Sequence, residues 1–373
     1  MTPENLVTWG DLITLEYGKP IPDKSSLDGK VPVYGTNGKI GTSHLKPLCN
    51  IPSFIIGRKG AYRGVHYSDV PFSVIDTAFY AMPISDEFDI KWAYYKFLTY
   101  DINRMDSGSA IPSTDRYELY QIPVTLPPLK IQKQIVKILD AISGKILLNT
   151  AINQNLEQQA QAIFKSWFID TSNEERKTCR ANEYFDISIG KTPPRKEHQW
   201  FTENPNGVVW VSISDMGNCG MFIENSSEYL TNESINKFNI KVVPPNTVLL
   251  SFKLTVGRVA ISASPLTTNE AIAHFRTDNI SINEYLYCYL KQFNYQSLGS
   301  TSSIAVAVNS KIIKNMPFII PTNSEISNFH CLVSPMFSEI LKNQRENQRL
   351  SVLRDALLPK LMNGEIDVSN VKI

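Results

Sequence analysis

Residues 146–162 read ILLNTAINQNLEQQAQA, and residues 340–356 read ILKNQRENQRLSVLRDA. A displacement of 194 positions superposes them with identity at seven of seventeen places. Ile146, Leu147, Asn149, Asn153, Gln154, Leu156 and Ala162 fall on Ile340, Leu341, Asn343, Asn347, Gln348, Leu350 and Ala356. Unrelated sequence would agree at roughly one place, so the chain carries an internal duplication. The same displacement sets Lys59 on Lys253, Val65 on Val259, Tyr95 on Tyr289, Pro123 on Pro317 and Pro127 on Pro321. A repeat this long is a domain with its connector, so each copy owns a core and the pair meets something twofold.

Working outward, Leu129 to Asp170 contains no proline. Its apolar residues Ile131, Ile135, Ile138, Ile142, Ile146, Ile152, Leu156, Ile163 and Trp167 are spaced by three, four and seven or their sums, one stripe of a long helix weakened only by Gly144. About forty residues at 1.5 Å each make a rod on the order of 60 Å. A second such helix, capped by Asn323 or Ser324, carries Ile326, Phe329, Val333, Ile340, Leu341, Leu350, Leu353, Leu357 and Leu361 and stops at Asn363-Gly364. Pro335 predicts a kink or break, with the helix beginning near Ser334. Antiparallel pairing would satisfy both stripes, with Ile146, Leu156, Ile340 and Leu350 in the seam. Asn149, Asn153, Asn343 and Asn347 either fix its register from inside or face solvent.

Each helix follows a stretch of short β-like runs broken by Gly, Pro and Asn. Val31–Tyr34, Phe54–Ile56, Phe72–Ile75 and Ile122–Leu126 lie in the first; Val208–Ile213, Val248–Phe252 and Phe318–Ile320 in the second. Gly18-Lys19-Pro20 and Gly190-Lys191-Thr192-Pro193 are offset by only 172, so about 22 additional residues enter the second copy within Arg195–Ser251. The expected fold is α+β, an internal duplication of mostly-β domains at 1–128 and 171–322, each followed by a long helix, at 129–170 and 323–373, with the helices forming an antiparallel coiled coil.

Composition narrows the function. The chain has 373 residues, 42% of them apolar, and a net charge of +1. A general positive field for gripping nucleic acid is absent, so such binding would come from local patches or partners. The five cysteines are scattered and the histidines show no metal spacing, which predicts reduced thiols and no structural zinc. No apolar run approaches the ~20 residues of a membrane helix and no amino-terminal leader is evident, so the expectation is a cytoplasmic protein without a membrane partner. Gly190–Thr192 reads GKT but lacks the upstream glycine of a phosphate loop, where Phe185 stands.

Two strings suit DNA contact. GRKGAYRGVHY, residues 57–67, offers Arg58, Lys59, Arg63 and His66 as donors, Tyr62 as a rigid surface and glycines that allow close approach. Its counterpart SFKLTVGRVAI, residues 251–261, offers Lys253, Thr255 and Arg258. MDSGSAIPSTDRY (105–117), with Ser107, Ser109 and Arg116, stands opposite LGSTSSIAVAVNSK (298–311), with Ser300, Thr301, Ser302 and Lys311. Small hydroxyl residues beside a cation suit phosphate contact, and flexible connectors have the same composition.

The helix ends carry the most specific text: LPPLKIQKQIVKILD (126–140), AIFKSWFID (162–170) and LRDALLPKLMNGEIDV (353–368). They closely resemble the conserved regions of the specificity subunits of type I restriction-modification systems, and the order domain, helix, domain, helix extends the resemblance over essentially the whole chain. The resemblance implies a non-catalytic reader of double-stranded DNA in which each β-rich target recognition domain reads one half of a split, asymmetric target. It further implies paired helices that dock two methyltransferase subunits, with restriction subunits added to the complex. S-adenosylmethionine, ATP and magnesium would belong to those partners, with no cofactor in this chain. A DNA nuclease or methyltransferase with an unrecognised active site, and a coiled-coil scaffold that binds no DNA, are the alternatives.

Overall fold

A computed structural model describes residues 5–26, 28–105, 112–298 and 308–371. The chain divides into two units, Met1–Lys145 with Arg349–Ile373, and Ile146–Gln348.

In the first unit a four-stranded antiparallel sheet runs in the order Ile13–Tyr17, Ala78–Pro83, Ser53–Gly57, Val65–Ser68. Ser53–Gly57 is buried throughout because both of its faces are covered, which explains its unalternating SFIIG text. A smaller sheet joins Gly38–Ser43, Val31–Gly35 and Ser73–Val74, and Asn5–Thr8 pairs with Pro123–Leu126. Helix Ile90–Phe97, capped by Asp89, lays Trp92, Ala93, Tyr95 and Phe97 on the larger sheet. Ile135 and Leu139 of the first long helix and Leu361 and Met362 of the second complete the same core.

The second unit repeats this plan. Lys177–Arg180 pairs with Pro317–Ile320, and Asp186–Ile189, Ile272–Arg276, Val248–Ser251 and Val259–Ser262 reproduce the order of the four-stranded sheet, extended by Phe222–Ile223. A crossing that admits no side chain is also repeated. The Gly18 and Lys19 amides bond to the Ala78 and Val74 carbonyls; those of Gly190 and Lys191 bond to Ile272 and Thr268, each acceptor displaced by 194. A Cβ on Gly18 would lie 2.0 Å from the Ile75 carbonyl oxygen, and one on Gly190 would lie 2.2 Å from that of Asn269. The extra residues enter in two steps. Val33, opposite Ser73, corresponds to Trp210, opposite Thr267, an offset of 177, and the offset reaches 194 only at Ile55 and Leu249. The added chain forms helix Asn232–Lys237 and strand Glu228–Leu230, the strand lying against Val208–Val211.

The long helices span Leu129–Phe164, followed by a π turn at Lys165–Ile169, and Asn323–Met362. The second contradicts the expected break at Pro335. Pro335 and Cys331, whose carbonyl a proline at this position displaces, are both exposed residues, so the missing bond falls on the solvent side of the helix, where its loss costs least. The cap is also shifted: Thr322 forms a capping box with Glu325, its amide 2.8 Å from the carboxylate and its hydroxyl 3.3 Å from the Glu325 amide. Gly364, at φ +71°, ends the helix as expected, its amide bonding to the Leu361 carbonyl.

Within the second unit the two helices are antiparallel. The Asn149 amide donates to Asn347 Oδ1 at 2.9 Å, and the Asn343 amide to Asn153 Oδ1 at 3.0 Å. Asn149 and Asn343 are buried, which places these two in the interior, while Asn153 and Asn347, their partners, are half-buried. Ile340 is buried, and Leu156 packs on the same cluster. Ile146 is half-buried in this unit, as is Leu350 in the other.

Candidate DNA-reading surfaces

In the first unit, strands Ser53–Gly57 and Val65–Ser68 are joined by residues 58–64, closed at the base by the Gly57 amide on the Gly64 carbonyl at 2.8 Å. The loop is held on two sides. Arg58 and Lys59 donate their amides to the Thr77 carbonyl, and Lys59 forms an antiparallel bridge with Ser113. The Gly60 amide reaches the Pro112 carbonyl and the Thr114 amide the Arg58 carbonyl. The two candidate strings, far apart in sequence, therefore meet at this bridge.

Arg63 turns inward, a correction to its place among the surface donors. It is 3% exposed, and its guanidinium donates to the Asn103 and Met105 carbonyls at 2.9 and 2.7 Å and to Thr114 Oγ1 at 3.1 Å. Buried backbone carbonyls need donors, and a cation with several N–H groups supplies them from one side chain. His66 also lies under the loop, its ring against Gly38 and Gly64, and burial holds its pKa below the usual value. It is half-buried and neutral rather than a charged contact at the tip.

What faces outward is a stack of cations and rings. The guanidinium carbons of Arg58 and Arg116 lie 5.0 and 4.8 Å from the ring centre of Tyr17, and that of Arg116 lies 5.0 Å from Tyr117. Tyr17 is 44% exposed, Tyr117 62% and Tyr62 78%. Stacking fixes the guanidinium planes, and both arginines are half-buried; Arg116 also donates Nη1 to the Leu15 carbonyl at 3.5 Å and Nη2 to the Tyr117 hydroxyl at 3.2 Å, so the cations are held in place beside the exposed rings. Tyr17 was not among the residues singled out from sequence. It stands immediately before Gly18, so the 172-residue offset marked its neighbourhood without marking its ring. Lys59 is exposed beside the stack. Ser107 and Ser109 lie outside the described residues.

The equivalent loop of the second unit is built on Ser251, which is fully buried. Its hydroxyl donates to the Thr255 carbonyl at 2.6 Å and accepts from the Arg258 amide at 3.0 Å, while its carbonyl accepts from the Gly257 amide at 3.0 Å. Lys253, Leu254 and Thr255 are left exposed at the tip. Arg258 departs from expectation as Arg63 does: its Nη1 donates to the Ile213 carbonyl at 2.6 Å, and its guanidinium rests on Gly217, where a Cβ would come within 2.4 Å. Lys311 is exposed on the short helix Ser310–Lys314, capped by Asn309. Ser300, Thr301 and Ser302 lie outside the described residues. In the added segment Arg195 makes a bidentate pair with Glu228 at 2.7 and 2.9 Å and lies 4.4 Å from the rings of both Phe201 and Trp210.

One arrangement resembles catalytic machinery. Ser188 Oγ lies 3.0 Å from His274 Nδ1, and Thr268 Oγ1 lies 2.7 Å from His274 Nε2. His274 has no exposed surface, and burial above all, with Lys241 and Arg276 nearby, pushes its pKa down to about 3. With both ring nitrogens engaged and no path to solvent, the imidazole is a satisfied core residue tying two sheets together. Among the described residues no cluster of His, Cys, Asp or Glu is placed to hold a metal, and no helix is long and apolar enough to cross a membrane.

The family model for the type I restriction modification DNA specificity domain matches residues 4–158 and again 173–345. The chain is 26% identical to the specificity subunit of the type I restriction enzyme HindI of Haemophilus influenzae, over 66% of this chain and 69% of that one. It is equally 26% identical to the MjaIX specificity subunit of Methanocaldococcus jannaschii, over 75% and 70%. The crystal structure of a type I restriction-modification S subunit from M. genitalium superposes with a TM-score of 0.62 at 15% identity, covering 97% of each chain, which establishes a shared fold.

Proposed function

The chain belongs to the type I restriction-modification DNA specificity family, and we propose that it reads an asymmetric, two-part DNA target while docking two methyltransferase subunits, to which restriction subunits add. Members of this family lend sequence specificity to an enzyme complex and carry no catalysis themselves, and DNA is what the repeated domain recognises. The single observation that carries the two-part reading is that one loop, closed at the same place in the same sheet, occurs in both units with unlike tips. Arg58, Lys59, Tyr62 and the Tyr17–Arg116 stack present cations and rings in one. Lys253, Leu254 and Thr255 present an amine, an aliphatic prong and a hydroxyl in the other. A conserved frame with different donors reads different base sequences.

The proposed docking surface lies on the long helices, where apolar side chains stay uncovered. Leu147 is 71% exposed and Leu148 and Ile152 are also exposed in one unit, as are Val352 and Leu353 in the other. Isolated exposed leucines are ordinary, but three within one and a half turns of a helix favour a protein partner. S-adenosylmethionine, ATP and magnesium are assigned to the partner subunits, and the assembled complex to the cytoplasm. Methylome sequencing of the host with and without this gene tests the reading: one interrupted adenine-methylated motif should vanish with the gene, and an unchanged methylome would overturn it.

A further inference from the structure

Leu254 occupies a conformation that its side chain makes costly. Its φ is +61°, in the left-handed region that favours glycine, and it is 97% exposed. The Thr255 amide donates to the Lys253 carbonyl at 2.7 Å, closing a three-residue turn centred on Leu254, and the Ser251 bonds described above hold the turn in place. At the corresponding position of the first unit, 194 residues earlier, stands Gly60, with φ +123°. Both copies thus carry a positive φ at this place in the loop, and the first meets it with glycine. The second places an aliphatic side chain there, which gains no packing inside the unit. A strained residue held rigidly in the open, between an amine and a hydroxyl, is arranged to touch something outside.

We propose that Leu254 is an apolar specificity determinant for the half-site read by the second unit, and that it packs against a thymine methyl group in the major groove. This rests on the DNA-reading function proposed above. The occupant follows from the neighbours. Lys253 and Thr255 are donors suited to phosphate or base acceptors, and the aliphatic group that base edges display in the major groove is the C5-methyl of thymine. Leucine makes no hydrogen bond, so its contribution is discrimination: the methyl group is matched, and a polar edge in its place is left desolvated.

The test uses the full chain assembled with a type I methyltransferase subunit from the same host, and duplexes carrying the motif found by methylome sequencing, read by fluorescence anisotropy. Replacing thymine with deoxyuridine in the half-site of the second unit removes only methyl groups and should weaken wild-type binding by about tenfold. L254G should lose a similar factor on the thymine duplex, become indifferent to deoxyuridine, and melt at the same or a higher temperature because the turn is relieved. L254M should retain the thymine preference. If the wild-type complex does not prefer its motif over a scrambled duplex, the DNA-reading function falls and this inference with it. If it does prefer the motif but L254G responds to deoxyuridine as wild type does, or the half-site contains no A·T pair, the inference alone is overturned.

Discussion

Asn343 donates its amide to Asn153 Oδ1 at 3.0 Å, and this contact is the image, under the 194-residue displacement, of the one between Asn149 and Asn347. Asn149 corresponds to Asn343 and Asn153 to Asn347, so each bond joins the first site of one copy to the second site of the other. An antiparallel pair of equivalent helical segments generates this pattern at a single register, and a slip would leave buried amides without partners. The similarity between the two segments is thereby explained by their contact with each other.

Substituting Asn343→Leu alone should destabilise the second unit by about 1–3 kcal/mol, since Asn153 Oδ1 loses its donor. The double variant Asn153→Leu/Asn343→Leu should recover most of that loss. Urea denaturation of the four members of the cycle measures the coupling, and strict additivity would contradict the pairing.

Arg176→Met should weaken the end of the first long helix. The Arg176 guanidinium donates to the Trp167, Phe168 and Thr171 carbonyls and pairs with Glu325 at 2.7 Å, with little exposure of either side chain. Removing one partner of such a pair costs about 3 kcal/mol. A melting temperature unchanged in the variant would show that the pair is dispensable.

Acid should destabilise the second unit in two steps. His274 has its folded pKa lowered to about 3 from 6.5, so the unfolded chain binds the extra proton, and the stability from the neutral ring, full above pH 6.5, is lost as pH falls toward 3. Glu325 is lowered to about 2 from 4.5: partial burial opposes ionisation, but Arg176, the Thr322 amide and Asn173 outweigh it. Its contribution is full above pH 4.5 and lost below. His274→Gln should therefore flatten the decline in unfolding free energy between pH 6.5 and 4.5, and a slope identical to wild type would exclude the imidazole as its source.

Arg63 and Arg116 should separate stability from DNA contact. Arg63→Ala strands the Asn103 and Met105 carbonyls and should cost about 2 kcal/mol of stability. Arg116→Ala should cost less stability than Arg63→Ala, weaken target binding, and lower the slope of log affinity against log salt by about 1. Anisotropy titrations over a salt series decide it; a salt slope unaltered by Arg116→Ala would remove this residue from the interface.

Leu147→Asp should leave the fold intact, because the side chain is exposed, and reduce recovery of the methyltransferase on size-exclusion chromatography of the co-expressed complex. Full recovery would place the docking surface elsewhere. Exchanging residues 1–125 for the equivalent part of a relative should alter one half of the methylated motif, and a change in both halves would contradict the division of labour.

The duplication, the mostly-β domains and the long helices were legible because they rest on periodicity and spacing, which one chain displays in full. Position along the chain says less about direction. Arg58 and Arg63 share one basic string, yet Arg58 stacks on Tyr17 while Arg63 faces the interior. What decides is the presence of the Asn103 and Met105 carbonyls, which come from a distant segment. Pro335 was misread because propensity assigns a cost without saying whether the affected carbonyl faces water.

The sequence by itself determined the repeated architecture, the family resemblance and the absence of a strong overall charge, since these are sums and periods over many residues. Only the tertiary structure decided which cations are structural, that two arginines stack on Tyr17, that Asn149 and Asn343 are interior, and that Leu254 is held outward on strained backbone. Those outcomes depend on partners remote in the chain: a side chain turns inward where distant backbone offers it acceptors and outward where it does not.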